Sequence, residues 1–353
     1  MDTDRLPIIG ISCGDLNGIG MEVIMKAFID NQILDLCTPV LFATTKVTSY
    51  HRKALDMMDF NFQLANNLDE LTTKKVNLVN SWSEQVNLEY GVNSKEVGTY
   101  ALKSIDEALR AWKDQKIDAL VTAPVNKNNI TVPDGKFTGH TGYIGDKVGG
   151  EPLMILATDE IRVALVTGHV PISEVSNNLS KKLLTNRINQ LHKSLVQDFG
   201  IRKPKIGVLG LNPHAGDNGL LGNEEQEIIE PVIKECFDKG MLVYGPYAAD
   251  GYFGINTYKQ FDATLAMYHD QGLIPFKTMA FEDGVNFTAG LELVRTSPDH
   301  GTGFDIAGKN LASEVSFRNA VYAAIDIVKK RNEYKNLTKN QLRKQDTSKI
   351  SQA

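Results

Sequence analysis

The sequence predicts an α/β protein with parallel sheets covered by helices on both faces, and three observations carry that expectation. Short apolar runs suited to buried strands recur along the chain, helical periodicity fills the intervals, and several runs end in polar or glycine-marked turns. At 353 residues and 42% hydrophobic content, the chain exceeds the roughly 250–300 residues at which a single core stops growing, so two domains are expected.

The strand candidates are "PIIGISCG" (7–14), "PVLFATT" (39–45), "IDALVTAP" (117–124), "RVALVTGH" (162–169), "KIGVLGLN" (205–212) and "ATLAMYHD" (263–270). A helix is predicted over "SKEVGTYALKSIDEALRAWKDQ" (94–115), where Val97, Ala101, Ile105, Ala108 and Leu109 recur at helical spacing. The last periodic segment, "SEVSFRNAVYAAIDIVKKRNEY" (313–334), opens on a serine placed to cap it and carries lysines near its end, as a closing helix should. The polar tail after it, residues 335–353, has too few apolar residues to pack firmly and is expected to fray.

Four strand candidates finish in informative turns: "SCGDLNGIG", "VTGHVP", "LGLNPHAG" and "MYHDQG". Ligand sites of open α/β sheets lie at the carboxyl ends of strands, so all four are candidates for one cleft. The first turn, with glycines at 14, 18 and 20, matches neither G-x-G-x-x-G nor a Walker A loop. A standard Rossmann fold is therefore not expected, and this turn reads as a tight strand-to-helix connection near the cleft.

Composition excludes several classes of partner. The net charge of -5 is spread over both signs without a basic stripe, so nucleic acid is not an expected partner. No apolar run approaches the roughly 20 residues of a membrane span, and the acidic start "MDTDRLP" is unlike a signal peptide. Cys13, Cys37 and Cys236 form no C-x-x-C pair and read as small buried residues in a reducing compartment. A cytoplasmic location is expected.

Of seven histidines, His51 and His192 lie in polar or helical segments and read as structural or surface residues, whereas His140, His169, His214, His269 and His300 occupy turns. His169, His214 and His269 share one pattern, an apolar strand ending in a histidine beside glycine, proline or aspartate. One such residue reads as a hydrogen-bonded structural group. Three at equivalent positions favour a metal site, because three imidazoles leave a coordination position open for substrate. Imidazole ligation suits zinc first, with cobalt, nickel or iron possible and magnesium less suited. Asp217, Asp250 and Asp270 are placed to orient a ligand ring or to bind metal themselves.

Anion-binding groups form a second set. "KFTGHTGYIGD" (136–146) gathers Thr138, His140 and Thr141 around a glycine at a predicted helix start, which suits either a phosphate seat or threonine capping. Lys277 and Arg295 are isolated cations in otherwise apolar segments, each requiring an anion that is either a ligand or a buried acid. Asn286 adds a polar group in a strand-like stretch. Together these groups suit a small phosphorylated or carboxylated metabolite.

The motifs "GDLNGIGMEV", "VTAPVNK", "FTGHTGYIGD", "TGHVPISEV", "GLNPHAGDNGLLGNEE", "GPYAADGYF", "MYHDQGLIPFK" and "GLELVRTSPDHGTGFDIAGK" occur in an order that resembles one enzyme family. Over about residues 7–330 the chain resembles the 4-hydroxythreonine-4-phosphate dehydrogenase (PdxA) family. It departs in the first motif, where Leu16, Asn17 and Met21 replace two prolines and an alanine common in the family, a change that bears on the turn's local rigidity.

The resemblance implies a two-domain α/β/α fold similar to isocitrate and isopropylmalate dehydrogenases, with residues 1–128 plus 280–353 as one domain and 129–279 as the other. It implies a homodimer with the site near the subunit interface. One divalent metal, zinc first with magnesium or cobalt as alternatives, would be held by His169, His214 and His269, with His269 supplied across that interface. Substrate contacts carry over to His140, Thr141, Lys277, Asn286 and Arg295, and "HGTGFDIAGK" (300–309) resembles the nucleotide-binding loop of those dehydrogenases, placing NAD, or NADP, at His300, Gly301, Thr302 and Asp305. Lys277 and Asp250 are the candidate catalytic residues. The implied activity is oxidation of 4-phosphooxy-L-threonine at C3 followed by metal-assisted decarboxylation. Three alternatives are a catabolic relative acting on D-threonate or D-erythronate 4-phosphate, a metal-dependent hydrolase or lyase without nicotinamide, and a non-enzymatic metabolite-binding scaffold.

Overall fold

The computed structural model describes residues 5–132, 135–137 and 139–340. Thr138 and the tail beyond residue 340 lie outside them. The six strand candidates form β1 (Ile8–Ser12), β2 (Thr38–Ala43), β5 (Ala119–Thr122), β9 (Arg162–Leu165), β10 (Lys205–Leu209) and β12 (Ala263–Ala266). Between and after them come β3 (Phe62–Leu64), β4 (Val76–Asn80), β8 (Gly150–Ala157), β11 (Leu242–Tyr247), β13 (Val285–Leu291) and β14 (Val294–Pro298), with β6 (Thr131–Val132) and β7 (Gly135–Lys136) as a separate small hairpin.

Twelve strands make one sheet in the order β11-β10-β12-β9-β8-β13-β14-β5-β1-β2-β4-β3. The blocks β11-β10-β12-β9 and β14-β5-β1-β2-β4-β3 are each parallel, but β8 and β13 pair antiparallel to their neighbours. Three reversals between β14 and β9 therefore make the two blocks run in opposite directions. This corrects the expectation of a single row of strand-end turns. The turns after β9, β12 and β10 leave one end of the sheet, and the glycine turn after β1 leaves the other.

Strand alternation sorts the side chains onto two faces. Ile9, Ile11, Val121, Ile155, Phe287 and Val208 pack with α1 (Gly20–Ile29), α6 (Lys181–Gln197), α7 (Glu230–Asp238) and α10 (Val315–Thr338). On the other face, Val40, Phe42 and Leu120 pack with α3 (Lys95–Lys113) and α4 (His140–Val148), while Leu156, Val163 and Leu165 pack with α8 (Ala249–Gly254) and α9 (His269–Met279). The result is three layers, helices on both faces of a sheet whose order is not that of a doubly wound Rossmann fold.

Helix ends follow local chemistry with three departures. Ser94 caps α3 as its position predicts, accepting from Val97 N. The closing helix starts one residue later than its serine suggests, with Glu314 at the cap, and it runs to Thr338, four residues past Tyr334. Thr338 Oγ1 donates to Tyr334 O there, so the polar start of the tail continues the helix by local hydrogen bonding. The cap of α4 is Gly139, at φ 112°, with no side-chain hydrogen bond, and Thr138, on which threonine capping would rest, lies outside the described residues. Among the described residues no helix is long and apolar enough to cross a membrane.

Candidate active site

Arg295 lies on β14, whose alternation turns it toward the α3 and α4 layer, and it is 2% exposed. Its Nε and Nη2 donate to Thr122 Oγ1 at 3.1 and 2.6 Å, and its Nη1 donates to Thr288 Oγ1 at 3.1 Å. Register explains the set, since Thr288 stands opposite Arg295 across the β13–β14 pair and β5 is its other neighbour. No carboxylate of the described residues pairs with this guanidinium. Burial pulls its pKa down to about 9, so it remains charged at neutral pH and faces only neutral hydroxyls. Of the two acids-or-ligand alternatives open at Arg295, a buried acid is thus not what the structure supplies.

His140 begins α4, and burial, with the nearby cations Arg295 and Lys127 adding to it, holds its imidazole well below the usual range. Its Nε2 is buried without a hydrogen-bond partner. Asn286, on the same face of β13 as Thr288, leaves its Oδ1 buried and unpartnered as well. Unmatched buried groups of this kind cost free energy unless a ligand or water meets them. Thr141 is half-buried in the first turn of α4.

The second group is imidazole-rich. His169 follows β9 and His269 opens α9, and their rings approach to 5.3 Å between centroids, at 43° between planes. His269 Nδ1 lies 2.7 Å from Asp270 Oδ1, which leaves Nε2 free and matches the carboxylate–imidazole arrangement that orients metal ligands. The Lys127 ammonium and His269 add to burial in lowering the His169 pKa. Two exposed or half-buried imidazoles facing each other are a donor set suited to zinc or a similar divalent cation. Within one chain, and among the described residues, no three His, Cys, Asp or Glu side chains gather closely enough to hold a metal.

His214 occupies the turn after β10, neighbouring the strand that leads to His269. Its turn is left-handed throughout: His214, Ala215, Gly216, Asp217 and Asn218 have φ of 52°, 50°, 82°, 42° and 55°. Each L-residue in that conformation costs roughly 1–2 kcal/mol, so the surroundings must enforce it. Glu225, 1% exposed, does so by accepting from Leu211 N at 2.7 Å, Asn212 N at 2.8 Å and Asn212 Nδ2 at 2.9 Å. Gln271 ties this turn to α9, donating to Gly210 O at 2.6 Å while accepting from Met267 N at 2.7 Å. Asp250, in the first turn of α8, is exposed, and the structure records no hydrogen bond joining it to the histidines or to Lys277.

Lys277 is on the helix α9 rather than on a strand, and it has the acidic partner its charge requires: its Nζ lies 3.2 Å from Asp299 Oδ2 and donates to Asp299 O at 3.1 Å. Burial raises the Asp299 pKa, while Lys277, His300 and His269 oppose the rise. His300, next to it, has Nε2 buried without a partner and a pKa lowered chiefly by burial. Gly301 borders open space. Thr302 belongs to a different contact, since its carbonyl accepts from Ile19 N at 2.9 Å and so docks the 300–309 loop on the glycine turn after β1. Asp305 is exposed. Asn17, at the position where the resembling family has alanine, accepts from Glu89 N and donates to Val92 O, bracing the turn that its prolines would otherwise stiffen.

Sequence reasoning did not single out Lys127, Thr122, Thr288, Asp299 or Glu225. Asp299 had a readable signal, an acid adjoining a turn histidine as Asp270 adjoins His269. The two threonines look like ordinary strand residues, and only register gives them a cation to meet.

The chain matches the family model described as "Pyridoxal phosphate biosynthetic protein PdxA" over residues 35–324. It is 50% identical over 339 residues to a 4-hydroxythreonine-4-phosphate dehydrogenase of Bacteroides thetaiotaomicron, covering 96% of this chain and 93% of that protein. It is 36% identical to a D-threonate 4-phosphate dehydrogenase of Cupriavidus necator, covering 93% of this chain and 99% of that one. Among solved structures, a 4-hydroxythreonine-4-phosphate dehydrogenase from Burkholderia phymatum superposes with a TM-score of 0.75 at 34% identity, covering 92% of this chain and 99% of that chain. By sequence, by extent and by fold, the chain belongs to the PdxA family of pyridoxal phosphate biosynthetic proteins.

Proposed function

We propose that the protein is an NAD-dependent dehydrogenase that oxidises 4-phosphooxy-L-threonine at C3 and decarboxylates the resulting β-keto acid to 3-amino-2-oxopropyl phosphate, in pyridoxal 5'-phosphate biosynthesis. Family membership supports the reaction class. The observation that carries the substrate class is Arg295, a buried cation with hydroxyl partners alone, because a charge so placed is stabilised by an anionic ligand.

In this reading Arg295, His140, Thr141 and Asn286 bind and orient the substrate's anionic and polar groups. His169 and His269, whose rings face each other within one chain rather than across the interface as the resemblance implied for His269, hold a divalent cation, zinc first, and His214 is the third ligand. NAD sits against His300, Gly301, Thr302 and Asp305, where the unpartnered His300 Nε2 and the open space at Gly301 favour a ligand. When bound, NAD would accept the hydride from C3 and the metal would polarise the C3 oxygen through oxidation and loss of carbon dioxide. Lys277, fixed by Asp299, is placed to hold or move a proton at that oxygen, and Asp250 is the further candidate for proton handling.

A homodimer belongs to the same proposal. Ile172, Leu220, Ile255, Ile274 and Phe281 are large apolar side chains left exposed within residues 172–281, as an interface would require. So does the division into residues 1–128 with 280–353 and residues 129–279, which is supported by the sheet order, with β8 to β12 all on one side of the β13–β14 pair. Free, buried Cys13, Cys37 and Cys236 accord with the cytoplasm.

The likeness to a D-threonate 4-phosphate dehydrogenase supports a second reading, the catabolic one. NADH formation measured with 4-phosphooxy-L-threonine, D-threonate 4-phosphate and D-erythronate 4-phosphate, before and after chelation and re-addition of zinc, magnesium or cobalt, decides between them. The highest kcat/KM is expected for 4-phosphooxy-L-threonine, lost on chelation. A preference for a threonate overturns the biosynthetic reading, and phosphorylated-substrate turnover without NADH overturns the dehydrogenase.

A further inference from the structure

Lys127 stands between the two groups of site residues. It follows β5 and Pro124 in a short 3-10 turn, Lys127–Asn129, whose cap residue Asn126 accepts from Asn128 N at 3.0 Å. The next anchor is deeper: Asn129 is 5% exposed and donates from Nδ2 to Asp15 Oδ2 at 3.2 Å. The backbone of Asn129 presses so closely on α3 that a methyl group at Gly98 would lie 2.0 Å from Asn129 O. A rigid base therefore carries an exposed lysine stem.

The far end of that stem lies over the start of α4. A Cβ built at Gly139 would be 3.1 Å from Lys127 Cε and 3.5 Å from Lys127 Nζ. That helix end has no side-chain cap, so its first N–H groups and the lysine ammonium face the same space. Lys127 acts electrostatically on His140 and on His169 alike, and Arg295 acts on His140 from the other side. Among the described residues, neither Lys127 nor Arg295 forms an ion pair. Two cations without an ion pair among the described residues, beside the buried, unpartnered His140 Nε2, which donates as its Nε2–H tautomer, call for a ligand with two negative charges and several acceptor oxygens; Asn286 Oδ1, an acceptor, calls instead for a donor elsewhere on that ligand.

We propose that Lys127 is a phosphate-binding residue of this site, closing with Arg295, His140 and the N-terminus of α4 around the phosphate monoester of the substrate. The inference rests on the proposed substrate class, and it deepens that reading by placing the phosphate at α4 and leaving the remainder of the substrate to extend toward His169, His269 and Lys277. A carboxylate carries one charge and would leave one of the two cations unmatched. Lys127 is exposed, so its removal leaves the core intact and the variant folded.

The test uses the full-length protein and inorganic phosphate as the probe, with Lys127→Ala, Lys127→Arg and, for net charge alone, Lys239→Ala at the exposed C-terminal end of α7. Binding of phosphate by calorimetry should weaken about tenfold or more in Lys127→Ala, recover largely in Lys127→Arg and stay unchanged in Lys239→Ala. Turnover should show KM for the phosphorylated substrate raised by about the same factor and kcat changed by less than about threefold. Wild-type phosphate affinity in Lys127→Ala overturns the proposal, as does an equal loss in Lys239→Ala or a fall in kcat with KM unchanged. Lysine-dependent phosphate binding in a protein that oxidises none of the phosphorylated acids would leave this assignment standing while sinking the proposed reaction.

Discussion

Thr122 Oγ1 accepts from both Nε and Nη2 of Arg295, at 3.1 and 2.6 Å, and both residues are buried. One hydroxyl thus fixes the plane of the guanidinium while adding no charge to offset it. Arg295→Met removes a buried cation and replaces it with apolar volume, so folding stability should stay within about 1–2 kcal/mol of wild type. Affinity for the anionic substrate should collapse, with KM rising about a hundredfold. Thr122→Val should do the reverse, stranding two buried N–H donors at a cost of about 1–3 kcal/mol. Urea unfolding and steady-state kinetics on the two variants separate these effects, and equal loss of stability in both would contradict the assignment.

His51 predicts a pH dependence of stability. It is wholly buried, with Nδ1 2.8 Å from Tyr90 Oη, and burial pushes its pKa down to about 3. Because the folded value lies below the unfolded value of about 6.5, the unfolded chain takes up the proton first. The contribution is therefore complete above pH 6.5 and is lost as pH falls toward about 3, amounting to about 2 kcal/mol between pH 7 and pH 5. His140, His169 and His300 shift in the same direction and deepen the loss. Denaturant unfolding at the two pH values should show it, and His51→Gln should flatten the slope by about the stated amount.

A buried ion pair holds the closing helix. Arg331 Nε donates to Asp198 Oδ1 at 2.6 Å, Ser194 Oγ donates to Asp198 Oδ2 at 2.7 Å, and Arg331 Nη1 donates to Leu291 O and Glu292 O at 3.1 and 2.7 Å. Arg331→Met leaves Asp198 charged and uncompensated, at a cost of about 3–5 kcal/mol, whereas adding Asp198→Leu should recover most of it. Equilibrium unfolding of the single and double variants measures the difference, and a double variant as unstable as the single would refute the pairing argument.

The left-handed turn at His214 depends on Gly216. A Cβ there, at φ 82°, would lie 2.6 Å from Glu225 Oε2, so Gly216→Ala displaces the carboxylate that holds the turn. Stability should fall by about 1–3 kcal/mol, and metal retained after dialysis should fall with it if His214 is a ligand. Elemental analysis beside His214→Ala makes the comparison. Full metal content in both variants would remove His214 from the metal site.

Half of the main sheet was legible, because a buried parallel strand is a short apolar run with little else to confuse it; all six candidates form strands of its twelve. The direction of the two blocks was not legible, since it turns on β8 and β13 pairing with partners more than a hundred residues away. The same limit applies at the site. His169 and His269 could be paired by a shared local pattern, and the structure brings their rings together. Thr122, Thr288 and Lys127 carry no local mark, because each becomes significant through a neighbour that register or a helix end delivers. The left-handed turn is hinted at by Gly216, Gly219, Asn218 and Asp217, residue types that tolerate positive φ, and Ala215 argues against it.

The β13–β14 pair joins two groups of strands that precede it in the chain, β13 pairing with β8 and β14 with β5. During synthesis, everything up to Met279 can emerge before any residue able to join the blocks. Until Val285–Pro298 arrives, β5 and β8 are open edges, the feature that exposes a nascent chain to pairing with the wrong partner. Asn286 and Arg295 arrive on those same strands, so the chain acquires its anion-binding groups in the act of sealing its sheet. A product truncated before residue 285 would be both inert and prone to aggregate, and the last fifth of translation decides both outcomes at once.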